Sequence, residues 1–170
     1  MSTTNPTEPP PPAGSFWIRI PAILAIALCL VAGACLLRWN PATIQLRYEG
    51  IAMRALEASD LPTARVAGTR LLELGPGSRN FGLFVLARTN FASGNNEEAA
   101  GMIRQVAPLD RPVFAPAHLF VARSLMSRAN PSPAIRGAIL AHLHHALVLE
   151  PDSEEAKELL ARFEHRPALP

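Results

Sequence analysis

Residues 83–99 read LFVLARTNFASGNNEEA, and the fold turns on how this stretch is read. Leu83, Leu86 and Ala87 recur at helical spacing; Ser93-Gly94-Asn95-Asn96 then breaks the run, and Glu97 resumes it. The pattern returns along the chain. Tyr48-x-x-Ile51-Ala52, Leu83-x-x-Leu86-Ala87 and His118-x-x-Val121-Ala122 share one form, and Ala52, Ala87 and Ala122 stand 35 residues apart in turn. Ala64 and Ala99 are also 35 apart. A fixed period of this size predicts stacked supersecondary units, none of which can bury its apolar face alone.

Each unit is punctuated as helix, turn, helix. In the first, Tyr48, Ile51, Ala52, Ala55 and Leu56 share a helical face. Ser59-Asp60 interrupts it, Pro62 opens a second helix carrying Ala64, Leu71 and Leu72, and Gly75-Pro76-Gly77 stops that one. The second unit runs from Phe81 to Ala92 and from Glu97 to Val106, closed by Pro108 and Pro112. The third runs from Ala117 to Arg128, breaks at Asn130-Pro131-Ser132-Pro133, and resumes from Ile135 to Leu149. Asp152-Ser153-Glu154-Glu155 has the form of a capping box before a last helix with Ala156, Leu159, Leu160 and Phe163 on one face. No strand-like alternation occurs, so the expectation is an all-α domain over 40–166. Its repeats fall at about 45–78, 80–113 and 115–153, its cap at 153–165, and a tail at 167–170.

Over about residues 45–165 the pattern resembles the tetratricopeptide repeat, in its membrane-anchored bacterial type. The resemblance rests on the small residue in each first helix, the Gly94 turn, Ala64 and Ala99 in second helices, and Pro76 and Pro151. The chain departs from the family where aromatics are usual: Ala55, Asn90 and Leu125 stand late in the first helices, Gly68, Ile103 and Leu143 in the second. The third unit is also longer, with 29 residues from Ala122 to Pro151 against 24 from Ala52 to Pro76.

The resemblance implies a short right-handed solenoid of three helix hairpins, an interaction scaffold with no reaction and no cofactor. Its concave face would be lined by first helices and would take a protein or peptide. On that face fall Glu49, Met53 and Leu56, then Phe84, Arg88 and Phe91, then Leu119, Arg123 and Met126. Arginine, aromatic and methionine side chains together suit an extended or helical peptide; the alternative sets the arginines on a solvated face with Phe84 and Phe91 in the core. The lysine and asparagine set by which some relatives clamp a terminal carboxylate is not there. The implied role is to assist assembly of a bacterial envelope, secretion or respiratory complex.

Ahead of the repeats lies FWIRIPAILAIALCLVAGACLLRW, residues 16–39. Its 18 residues from Ile20 to Leu37 carry no charge and no strongly polar side chain. As a helix that run is about 27 Å long, close to the ~30 Å hydrocarbon core of a bilayer. Trp17 and Trp39 would sit at the two interfaces, with Arg19 and Arg38 snorkelling beside them. The expectation is a single transmembrane helix over 16–39, in a bacterial inner membrane. The alternative is a soluble periplasmic or secreted adaptor, released by cleavage near Ala34 in the small-residue triplet Ala32-Gly33-Ala34. Arg19 on one flank and Arg38, Arg47 and Arg54 on the other leave the side of the repeats open. Residues 1–15, MSTTNPTEPPPPAGS, are polar and proline-rich and are expected to be disordered.

The remaining chemistry is sparse. The net charge of +2 includes no basic block, which argues against nucleic acid. Cys29 and Cys35 both lie in the apolar stretch, so the repeats form no disulfide. Arginine outnumbers lysine 15 to 1, in keeping with a high-GC bacterial genome. His142, His144 and His145 form HLHH within a helix, where His142 and His145 share a face but no third ligand is indicated, so no metal site is expected. No catalytic constellation emerges, and an enzyme or metal-binding protein is a distant alternative. Alkaline extraction of membranes tests the anchor: the chain should stay in the pellet, and recovery in the wash at a mass starting near Cys35 would mean cleavage.

Overall fold

The computed structural model describes residues 24–34, 40–128 and 130–165, and all their regular structure is helical. The chain divides into two compact units, Met1–Ile44 and Gln45–Pro170. Helix α1 covers residues 24–34. Then come α2 (Pro41–Glu57), α3 (Leu61–Glu73), α4 (Pro76–Ala92), α5 (Asn96–Val106), α6 (Ala115–Met126), α7 (Pro133–Leu149) and α8 (Glu154–Glu164).

The 35-residue period reappears in backbone geometry. In the α2–α3 turn, Ser59 has φ 57°, and the amide of Asp60 donates to the Ala55 carbonyl at 2.8 Å. In the α4–α5 turn, Gly94 has φ 82°, and the amide of Asn95 donates to the Asn90 carbonyl at 2.9 Å. Ser59 and Gly94 are 35 residues apart, as are both bonded pairs. Each turn closes its helix with a bond spanning six residues around one left-handed residue, which satisfies an end carbonyl that would otherwise be orphaned. The third hairpin is different: residues 127–132 link α6 to α7, against 58–60 and 93–95 in the others. Together with the 17-residue α7, that link absorbs the extra length of the third unit.

Helix starts follow the local chemistry. Asp60 accepts from the Thr63 amide at 3.2 Å, and Ser153 accepts from Ala156 at 3.4 Å. Only half of the expected capping box therefore forms, because Ala156 stands where a return acceptor would be. Pro76 corrects another expectation. It opens α4 at its first turn rather than ending the preceding helix, since proline has no N–H to lose there. Ser78, buried in that first turn, donates to the Leu71 carbonyl at 2.6 Å and so ties α4 to the end of α3.

Three apolar cores run through the second unit, and each joins a hairpin to the helix after it. Ala52, Ala55, Ala64, Ala67 and Leu71 of α2 and α3 enclose Val85 of α4. Leu83, Phe84, Ala87, Ile103 and Val106 of α4 and α5 take in Ala117 of α6. Leu119, Ala122, Ile139, Leu143 and Ala146 of α6 and α7 take in Ala156 and Phe163 of α8. The periodic alanines Ala52, Ala87, Ala122, Ala64 and Ala99 are all fully buried. Their small side chains let helix axes come close, and the buried cores hold the stack together.

Helices α3 and α4 approach closely at two glycines. A Cβ on Gly82 would lie 2.9 Å from the Gly68 carbonyl oxygen and 3.1 Å from the Leu72 amide nitrogen. A Cβ on Gly68 would lie 3.0–3.1 Å from Leu86 and Val85 side-chain carbons. Gly68, where the resembled family has an aromatic, is therefore required by the crossing.

The described part of the expected span is α1. Ten of its eleven residues, all but Gly33, are exposed around the whole helix, including Leu24, Ile26, Leu28, Leu30 and Val31. Among the described residues no helix is long and apolar enough to cross a membrane. Residues 16–23 and 35–39 of the expected span lie outside the described residues, as do the leader at 1–15 and the tail at 167–170.

The glycine crossing yields a paired test. Gly82→Ala should lower unfolding stability by about 1–2 kcal/mol, overpacking outweighing the gain in helix propensity. Gly137→Ala, in α7 with open space around it, should instead raise stability by about 0.5–1 kcal/mol. Urea unfolding measures both, and a stabilising Gly82→Ala would contradict the crossing.

Candidate functional site

The first helices of the three hairpins converge on one cleft of about 260 Å³. Met53 comes from α2, Phe84 and Arg88 from α4, Pro116, Leu119, Phe120 and Arg123 from α6. Glu150 and Ser153 of the α7–α8 link and Glu155 of α8 complete its wall. Met53, Arg88 and Arg123 stand at successive 35-residue intervals, so the cleft is a product of the repeat.

Of the face expected from the sequence, Met53, Phe84, Arg88, Leu119 and Arg123 line this cleft. Glu49 does not. It accepts a hydrogen bond from Gln45 Nε2 at 2.8 Å on its own helix. Phe91 packs into the second core and against Phe120, 5.9 Å between ring centroids. Met126 packs against the third core and Leu56 against the first.

Arg88 is half-buried, with its guanidinium carbon 5.7 Å from the ring centroids of both Phe84 and Phe120. Those rings meet edge to face at 6.0 Å. Burial, and next the like charge of Arg123, push the Arg88 guanidinium below its ordinary value, while Glu57 opposes the shift. Among the described residues no carboxylate lies within ion-pair distance of Arg88. Arg123, more exposed, pairs with Glu155. The cleft thus holds one neutralised cation and one supported mainly by aromatic faces, flanked by the apolar Met53, Leu119 and Pro116. Such a site can take an apolar side chain and an anionic group together.

Phe120 was missed in the sequence reading, although Pro116, Leu119, Phe120 and Arg123 have the spacing of one helical face. Glu150, Ser153 and Glu155 carry no comparable signal. They reach the cleft only because α8 packs on the third hairpin through Ala156 and Phe163.

The departures from the resembled family also acquire partners. Asn90, buried in α4, accepts from Arg65 of α3 at 3.2 Å and donates to Glu98 of α5 at 3.3 Å, a polar bridge across three helices. His142 and His145 do share a face, and the structure adds His118 of α6 to them. Among the described residues no group of three or more His, Cys, Asp or Glu side chains could hold a metal ion. Compared with known proteins, the chain matches no family model, no curated protein and no solved structure.

Because Phe120 carries both the aromatic cluster and one face of the Arg88 site, Phe120→Ala should cost about 2 kcal/mol, below the range for a fully buried phenylalanine. Chemical unfolding would measure it, and a loss under about 0.5 kcal/mol would mean that the ring is not packed as described.

Proposed function

We propose that this protein is a membrane-tethered interaction scaffold whose first-helix cleft binds a protein segment and assists assembly of a bacterial envelope complex. The segment is extended or helical and sets apolar side chains against Met53, Leu119 and Phe120, with an acidic side chain opposite Arg88. The observation that carries this reading is Arg88 itself: a half-buried cation over two phenylalanines, with no carboxylate at ion-pair distance among the described residues. A desolvated, aromatic-flanked arginine in a concave site is the kind of group that dominates binding energy at interfaces.

The tether is supported by α1, an apolar helix exposed all round, as a helix in contact with lipid is. The tetratricopeptide-like reading is supported by the recurrent turns and by the fully buried periodic alanines. No catalytic role is proposed for any residue.

Crosslinking in intact membranes followed by affinity capture would identify the partner. Arg88→Glu should then weaken binding at least tenfold, about 1.4 kcal/mol, and Arg88→Glu with Arg123→Glu should weaken it further. Arg123→Glu combined with Glu155→Arg keeps an ion pair of reversed polarity and controls for the fold. Undiminished binding by a folded Arg88→Glu, Arg123→Glu protein would overturn the assignment.

A further inference from the structure

Three histidines that the cleft does not use meet where the second hairpin joins the third. His118 of α6 is fully buried, His142 of α7 almost so, and His145 lies one turn further along α7. Their rings are close: both His142 and His145 have centroids 5.1 Å from that of His118. The Nδ1 atoms of His118 and His142 are 2.9 Å apart, which is a hydrogen bond only if one carries a proton and the other does not. The 107–114 connector between α5 and α6 is tied to the same group. His145 Nε2 donates to the Leu109 carbonyl at 3.1 Å, and the Val113 amide donates to His118 Nε2 at 3.4 Å.

One assignment of the protons satisfies all of these bonds. Since Val113 N–H donates, His118 Nε2 is bare, so the His118 proton is on Nδ1. It donates to a bare His142 Nδ1, which leaves the His142 proton on Nε2. Both rings are therefore neutral in this arrangement. A proton added at His118 Nε2 faces the Val113 N–H, and one added at His142 Nδ1 faces the His118 N–H. The groups around them offer little relief. Among the described residues, His145 on α7 disfavours charge on both rings, Arg104 of α5 lines an apolar cleft with His142, and the Arg111 backbone of the connector favours the charged His118 ring.

We propose that His118, His142 and His145 form an acid-operated latch that pins the 107–114 connector to α6 and α7 and lets it go when the pair is protonated. The direction of titration agrees with the geometry. Burial, then the charges of His142 and His145, push His118 down from 6.5 to about 4, and burial followed by His145 lowers His142. A folded-state value below the unfolded one means the latch is fully held above pH 6.5 and loosens as the pH falls toward 4.

The test is hydrogen exchange on the full-length protein in detergent micelles at pH 7 and pH 4.5, read as protection factors. Protection over 107–114 should fall at least tenfold on acidification, while α3 and α4 keep theirs. The His118→Leu, His142→Leu double variant should lose that acid response. Nitrogen NMR of the histidines in the unaltered protein should give one protonated and one bare Nδ1 in the pair at pH 7, and loss of the pairing in acid. Unchanged protection over 107–114, an equal loss in α3 and α4, or an intact response in the folded double variant would each overturn the latch.

Discussion

Helices α3 and α4 can lie as close as they do only because Gly68 and Gly82 face each other across the crossing. A single methyl group on Gly82 would meet the backbone of α3, which cannot move aside as a side chain can. The crossing links the first hairpin to the second and sets Val85 into the core of Ala52, Ala64, Ala67 and Leu71. Small residues enter the later joints as well. Ala117 enters the second core and Ala156 the third, both without exposed surface. Two glycines in helix interiors cost backbone entropy, on the order of 1 kcal/mol each. The contacts they permit offset that cost.

Function is proposed to follow from this stacking. Once each hairpin repeats the pose of the one before, residues 35 apart come to one side, and Met53, Arg88 and Arg123 share a cleft. The aromatic cluster then decides what the cleft is like. Phe84 and Phe120 hold Arg88 where water is reduced, while Glu155 meets Arg123 nearer the surface. An exposed ion pair of that kind contributes little to stability. Its neutralisation of Arg123 nonetheless leaves Arg88, among the described residues of the cleft, as the cation with no carboxylate at ion-pair distance.

The fold was legible in the chain wherever short-range chemistry governed it. The period, the turns at Ser59 and Gly94 and the last helix from Glu154 could be read because glycine, proline and capping residues act over a few positions. Pro76 could not be assigned from its type alone, since proline ends one helix as readily as it begins another. The central residue of each expected first-helix triplet lines the cleft, as do Phe84 and Leu119, whereas Glu49, Leu56, Phe91 and Met126 turn toward other neighbours. A helical face drifts around its axis, and only the residues at the crossing stay on the shared side. The histidine group was half visible. His142 and His145 are one turn apart, but His118 joins them across the hairpin from 24 residues away, which no local pattern reports.

The direct contact of α3 with α4 at the two glycines can be observed in solution. The measurement is the nuclear Overhauser effect between the Gly68 α protons and the methyl groups of Val85 and Leu86, in the full-length protein in micelles. Strong cross-peaks to both side chains are expected, because the space a Gly68 side chain would fill is bounded by them at 3.0–3.1 Å. Helical backbone shifts over α3 and α4 with those cross-peaks absent would contradict it.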